Sequence, residues 1–227
     1  MRSFGQLWSS TIFQKWVMAV TGILLVLFLL GHLAGNLLIF LGPDDMNAYG
    51  EELRHLLHGS AIWVARIGIL VSFILHINAG IRLAALNRRA RGGTNAKAEP
   101  QRSTMASRSM IYTGLLLVFY VLYHLAHFTW GVVHSEYYTY VDALGRHDIY
   151  RMVIESFQQP AITGTYIVAM IVTALHLNHA IQSAFQTLGI SHPRYNALIR
   201  SGGQALSLVI ALGFISVPVA IIIGIVR

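Results

Sequence analysis

An all-α integral membrane bundle of five transmembrane helices is the fold class this sequence predicts, and three observations predict it. Only 11% of the 227 residues are Asp, Glu, Lys or Arg, while 55% are apolar and the mean hydropathy is +0.59. A soluble domain averages roughly 25% charged residues, because water must wet its surface. The few charges are grouped, which leaves five long stretches free or nearly free of them. Those stretches are continuously apolar rather than alternating, so a closed β-barrel is excluded.

The same arithmetic excludes an ordinary soluble enzyme, a disordered chain and a nucleic-acid binder, although the formal charge is +7 and the pI is near 10. In a membrane protein a basic excess reflects charge sorting between the two sides. Cysteine is absent from the chain. That rules out a disulfide framework, a cysteine-ligated iron–sulfur cluster, thiolate-bound haem and the C-x-x-C-H haem attachment.

Trp16 to Pro43 is free of formal charge, and Ile62 to Ile81 carries only Arg66. Ser109–Ser135, Ser156–Pro193 and Ser201–Val226 carry none. A hydrocarbon core of roughly 30 Å needs about 20 apolar helical residues, so each stretch suffices. Transmembrane helices are expected near 14–41, 60–87, 107–132, 160–188 and 203–226, in one domain covering 1–227. The first stretch follows Lys15 but is long and lacks a small-residue cleavage site, so it reads as a span rather than a signal peptide.

Orientation follows from charge. The amino-terminal tail and the second and fourth connections hold Arg2, Lys15, Arg82, Arg88, Arg89, Arg91, Lys97, Arg102, Arg108, Arg194 and Arg200. The opposite loops, 42–60 and 133–159, hold only Arg54, Arg146 and Arg151, together with every acid except Glu99. The positive-inside rule puts the amino terminus of this multi-pass chain in the cytoplasm and the carboxy terminus outside; the resemblance set out below implies that the membrane is a bacterial cytoplasmic one. Arg88–Ser103 reads as a flexible basic linker. In the outer loops, Asp45 is expected to cap a helix with Tyr49, Leu53 and Leu56 on one face, and His147–Phe157 to form a helix lying on the membrane. No internal repeat and no low-complexity segment stands out.

Six of the eleven histidines fall within spans: His32, His76, His124, His127, His176 and His179. An ionisable or ligating side chain in hydrocarbon is costly, and by default it faces the bundle interior. Depth sorts them. His32 lies 11 residues before Pro43 and His124 lies 12 before Glu136, both toward the outside. His76 lies 12 before Arg88 and His176 lies 13 before Gly189, both toward the cytoplasm. Two pairs result, separated by roughly 6–8 Å along the membrane normal at 1.5 Å per residue. Two imidazoles at one depth are what bis-histidine ligation of a b-type haem requires. Gly31 and Gly35 beside His32, Ala79 and Gly80 after His76, and Ala180 after His179 offer room for a flat cofactor. Zinc and di-iron sites usually add carboxylates or thiolates, and no span contains a carboxylate. His127 and His179 each follow a candidate by three residues, so spacing alone leaves open which of each couple ligates.

The motifs FLLGHLAGN around His32, FILHINAGIRL around His76, TGLLLVFYVLYHLAHF around His124 and LHLNHAIQSAFQTLG around His176 resemble the membrane-anchor cytochrome b subunit of succinate:quinone oxidoreductases. The likeness is to the single-chain, five-helix, dihaem type (succinate dehydrogenase/fumarate reductase, complex II), and it spans nearly the whole chain. It implies haem iron held by His32 and His124 in an outer haem and by His76 and His176 in an inner one. His127, His179 and Arg66 are left as candidate contacts to haem propionates or quinone, Arg66 being equally placed to snorkel outward. The resemblance further implies two haem b groups, menaquinone as substrate, and a flavoprotein and an iron–sulfur subunit docked at the cytoplasmic face. Dicarboxylate chemistry then resides on those other subunits. The alternatives are the cytochrome b subunit of a nitrate reductase, formate dehydrogenase or hydrogenase, a histidine proton relay in a transporter, and a haem-free anchor.

Overall fold

The computed structural model describes residues 8, 10–90 and 105–227. It is an all-α membrane bundle. The long helices are α1 (Thr11–Leu37, extended by a 3-10 turn Leu38–Phe40), α3 (Ser60–Ala90), α4 (Met105–His124), α7 (Pro160–Thr187) and α8 (Pro193–Ile222). Three shorter helices, α2 (Pro43–His55), α5 (Ser135–Tyr138) and α6 (Ile149–Phe157), lie between them. Five segments are long and apolar enough to cross a membrane, so this is a multi-pass membrane protein with lipid-facing helices. The exposed Leu24, Leu27, Ile67, Leu70, Ile74, Leu116, Phe119, Val168, Leu208 and Leu212 make that lipid face. The basic residues Arg2, Arg91, Lys97 and Arg102, and with them most of the expected linker, lie outside the described residues.

Helix ends depart from the sequence expectation where local chemistry overrides hydropathy. The last helix begins at Pro193, ten residues early, because proline suits a first turn and the His192 ring accepts the Arg194 N–H at 3.2 Å. It closes at Ile222, and the following Gly224 takes a φ of +78°, a conformation that suits glycine after a helix. Asp45 does not cap α2. Gly42 occupies that position and Pro43 the first turn, and the buried side chains are Met46 and Asn47, whereas Leu53 and Leu56 are exposed. Nor does the second outer segment lie on lipid. Met152, Val153, Ile154, Ser156 and Phe157 of α6 are buried, and Val153, Ile154 and Phe157 among them form one cluster with Ile39, Met46, Ile162, Tyr166, Val217 and Ile221. Helix α6 therefore plugs one end of the bundle, called here the far end; the end where α1 starts is the near end.

In the bundle α1 packs on α3, α7 and α8, α4 packs on α7, and α3 meets α4 only sparingly. The four helices α3, α1, α7 and α4 thus form a square whose diagonals are α1–α4 and α3–α7, with α8 against α1 and α7. At the far end, buried Asn47 donates to Asp148 Oδ1 at 3.0 Å and Asp142 Oδ2 at 3.4 Å, and accepts the Tyr150 N–H at 3.0 Å. One side chain joins α2 to the loop before α6 and to α6 itself. Asn47→Ala should leave the Tyr150 N–H without its acceptor, Asp142 and Asp148 keeping their other donors, and cost about 1–3 kcal/mol. Thermal unfolding in detergent checks this, and an unchanged midpoint would remove Asn47 from the fold's supports.

The same cap is held by carboxylates. Partial burial pushes the Asp142 carboxyl up, but hydrogen bonds from the Arg146 N–H and guanidinium and the Leu144 N–H outweigh it and hold it below its ordinary value. The Tyr140 hydroxyl and the Arg151 guanidinium lower Glu155 likewise. A lowered folded-state value contributes stability that is present above the unfolded carboxylate range of about 4 and lost as pH falls through the folded value. Backbone hydrogen exchange across 139–158, corrected for its intrinsic pH dependence, should therefore show protection at pH 7 that is weakened at pH 3.

Candidate functional site

The histidines of the spans meet in twos across the diagonals of the square. His32 of α1 and His124 of α4 have ring centroids 5.8 Å apart, toward the far end. His76 of α3 and His176 of α7 have theirs 6.5 Å apart, toward the near end. These are the two pairs that depth along the helices groups together. An ion bound between two imidazoles at about 2 Å from each nitrogen, each nitrogen about 1 Å from its ring centre, sets the centroids about 6 Å apart. Both pairs fit that spacing. Among the described residues no three or more His, Asp or Glu side chains converge as a metal-binding group.

The near pair shows how each ring is prepared. Thr21 Oγ1 lies 3.3 Å from His76 Nδ1, and Thr113 Oγ1 lies 3.1 Å from His176 Nδ1. Each hydroxyl gives its one proton to a backbone carbonyl of its own helix, Thr21 to Val17 at 2.6 Å and Thr113 to Ser109 and Met110 at 3.1 Å. The oxygens can then only accept from the imidazoles. The Met18 carbonyl, 3.2 Å from His76 Nδ1, imposes the same direction. With the proton on Nδ1, Nε2 keeps its lone pair and is free to ligate, which is how outer partners prepare a histidine for a metal. The next residue in each case is glycine. A Cβ on Gly22 would stand 3.2 Å from His76 Cε1, and one on Gly114 would stand 3.4 Å from His176 Cε1. Small residues at these positions let backbone and ring approach, as membrane interfaces require.

Thr-Gly followed by histidine occurs twice at one spacing, Thr21-Gly22 to His32 and Thr113-Gly114 to His124. This corrects the reading that the chain has no internal repeat. TGILLVLFLLGHLAG in α1 aligns with TGLLLVFYVLYHLAH across α4 and the turn after it, and LHINAGI in α3 aligns with LHLNHAI in α7. The offset is 92 residues for the first match and 100 for the second. The second half is eight residues longer between its two motifs, so no fixed period reveals the duplication. Each half is a span, a connection and a second span, the first connection carrying one short helix (α2) and the second carrying two (α5 and α6); α8 is additional. Every histidine pair takes one ring from each half.

The far pair is held differently. His32 stacks on Phe28 at 5.4 Å and lies 5.6 Å from Phe214, while Asn36 donates to its backbone carbonyl at 2.7 Å. His124 Nδ1 lies 3.4 Å from the hydroxyl of Tyr166, which the sequence reading did not single out. After His124 the helix widens into a π-turn, Leu125–Thr129, where the Trp130 N–H reaches Leu125 O at 2.8 Å. Such turns recur at functional sites. Buried His127 sits within it, its Nδ1 3.0 Å from the same Tyr166 hydroxyl and its Nε2 without a hydrogen-bond partner among the described residues.

The other candidates are placed as follows. His179 is half-buried, and no hydrogen bond or ring contact holds it among the described residues. Arg66 is exposed, its guanidinium 5.1 Å from the ring centre of Trp63 on its own helix. That is the geometry of a snorkelling interface anchor. Gly35, read as room beside His32, accommodates Tyr49 instead, whose ring a Cβ there would meet at 2.7 Å. Compared with models of known protein families, with curated proteins and with solved structures, the chain matches none of them.

The two threonines should not be equivalent. Thr21→Val leaves His76 the Met18 carbonyl, whereas Thr113→Val removes the one acceptor His176 has among the described residues, a loss of about 1–3 kcal/mol for a buried donor. Nitrogen-15 shifts of the labelled imidazoles should report a single His76 tautomer in the first variant and a mixture at His176 in the second. Mixing at both sites would deny the Met18 carbonyl its role.

Proposed function

We propose that this chain is the membrane-anchoring cytochrome b subunit of a succinate:quinone oxidoreductase of the single-chain dihaem type. The reading holds that the chain carries two b haems, one between His32 and His124 and one between His76 and His176. It lies in a bacterial cytoplasmic membrane with the near end cytoplasmic. A flavoprotein and an iron–sulfur subunit dock on the near end, and menaquinone exchanges electrons with the haems. The observation that carries the reading is the pairing itself: four histidines from four spans, in two couples at two levels. Pairs, rather than clusters of three or four, suit a cofactor that brings its own equatorial donors. The charge asymmetry of the loops supports the orientation.

Bound haem supplies reversible one-electron chemistry at iron. The chain's own residues supply the rest. Thr21, Thr113 and the Met18 carbonyl hold the near imidazoles with Nε2 unprotonated; Gly22 and Gly114 let those rings lie against the helix backbone. Phe28 and Phe214 pack on His32 of the far pair. His127 and His179, each one turn beyond a ligand, are the polar groups available to a propionate or a quinone headgroup.

The purified chain should give a reduced-minus-oxidised spectrum of low-spin b haem, with two haems per polypeptide. His32→Ala and His124→Ala should each remove the same centre, and His76→Ala and His176→Ala the other. Co-purification with a flavoprotein and an iron–sulfur protein separates this reading from the cytochrome subunits of other quinone-linked enzymes. A chain purified from its native membrane without haem would end the proposal.

A further inference from the structure

The far histidine pair differs from the near pair in one respect that the proposed function leaves unused: its ligating ring shares a hydroxyl with a second histidine. Tyr166 is 6% exposed, and its ring is walled by Phe157, Phe128, Tyr120 and Tyr123 at centroid distances of 4.9 to 6.0 Å. Its hydroxyl stands 3.0 Å from His127 Nδ1 and 3.4 Å from His124 Nδ1. A phenol has one proton to give, so it donates to one of these nitrogens and accepts from the other. If His124 ligates through Nε2, its proton is on Nδ1 and must be donated to the tyrosine oxygen. Tyr166 then gives its own proton to His127 Nδ1. That leaves the proton of neutral His127 on Nε2, the buried atom that has no partner among the described residues.

We propose that Tyr166 is a positioning residue for the far pair, holding His124 in its ligating tautomer and, through the same ordered chain of protons, fixing His127 as a buried Nε2–H donor. The inference rests on the dihaem reading and deepens it at one centre. At the near centre the equivalent acceptors are threonine hydroxyls and a carbonyl; at the far centre the acceptor is itself a donor to a further titratable ring. A hydrogen bond accepted from Nδ1–H makes an imidazole a more basic ligand, which favours the oxidised metal. Loss of the hydroxyl therefore favours reduction, and only at the far centre.

The test is redox titration of the haem-loaded protein carrying Tyr166→Phe, which keeps the ring and its packing. The reduction equilibrium of the far haem should shift at least threefold toward the reduced form, about 30 mV at 59 mV per tenfold for one electron, with the near haem unmoved. In the unmutated protein, reduced and diamagnetic, nitrogen-15 shifts should show the His127 proton on Nε2; this measurement stands even if the variant fails to fold. Two haems with an unmoved far midpoint, equal shifts at both haems, or a His127 proton on Nδ1 would each overturn the role given to Tyr166 while leaving the dihaem reading intact. Absence of haem from the unmutated protein would remove the reading and the inference together.

Discussion

Hydrocarbon offers no hydrogen bonds, and the rest of this structure depends on that. Polar groups inside the bundle are best satisfied by partners within the protein, and for His76, His124 and His176 a neighbouring helix carries the group that meets the ring. The threonines illustrate the reciprocity. Thr21 and Thr113 satisfy their own protons on the helix that bears them, and present only an acceptor to the ring of the next. In water such a bond contributes little and competes with solvent. Here the direction of each bond is settled by what the donor has already given away, and with it the chemical state of each near-end ring.

The ends of the bundle obey a different rule. Beyond the hydrocarbon, ordinary capping chemistry returns, and the far end is closed by a polar joint of Asn47, Asp142, Asp148 and Arg146 rather than by apolar packing alone. Helix α6 is the hinge between the regimes. Its inner face joins the same apolar cluster as Tyr166 and Phe157, while its N-terminal Asp148 serves both as the helix cap and as the acceptor for Asn47.

The five spans were legible because the requirement for about 20 apolar residues is written into composition and needs no knowledge of packing. The grouping of the histidines was legible for a related reason: depth is a count along a helix, and it is nearly independent of which helices touch. What escaped was whatever depends on rotation about the helix axes. Tyr166 is one apolar-looking residue among many in its span, and nothing along the sequence marks its hydroxyl as shared between His124 and His127. The π-turn after His124 has no residue signature either. The threonines had a signal, a Thr-Gly placed twice at one distance before a histidine. It was masked because the halves differ by eight residues and because threonine in a helix ordinarily bonds its own backbone, which both do. Helix ends erred where proline and glycine, rather than hydropathy, decide.

The duplicated architecture bears on how the molecule is made. The first half is synthesised first and holds His32 and His76, yet the ring opposite each belongs to the second half. Until α4 and α7 are inserted, neither level of the bundle has both its imidazoles, and the diagonal gaps have walls on two sides only. The paired sites are therefore properties of the seam between two pieces of similar motif, and they are completed only when the second of those pieces is inserted. Anything that bridges a pair clasps the halves together, so occupancy and assembly are one equilibrium viewed from its two ends.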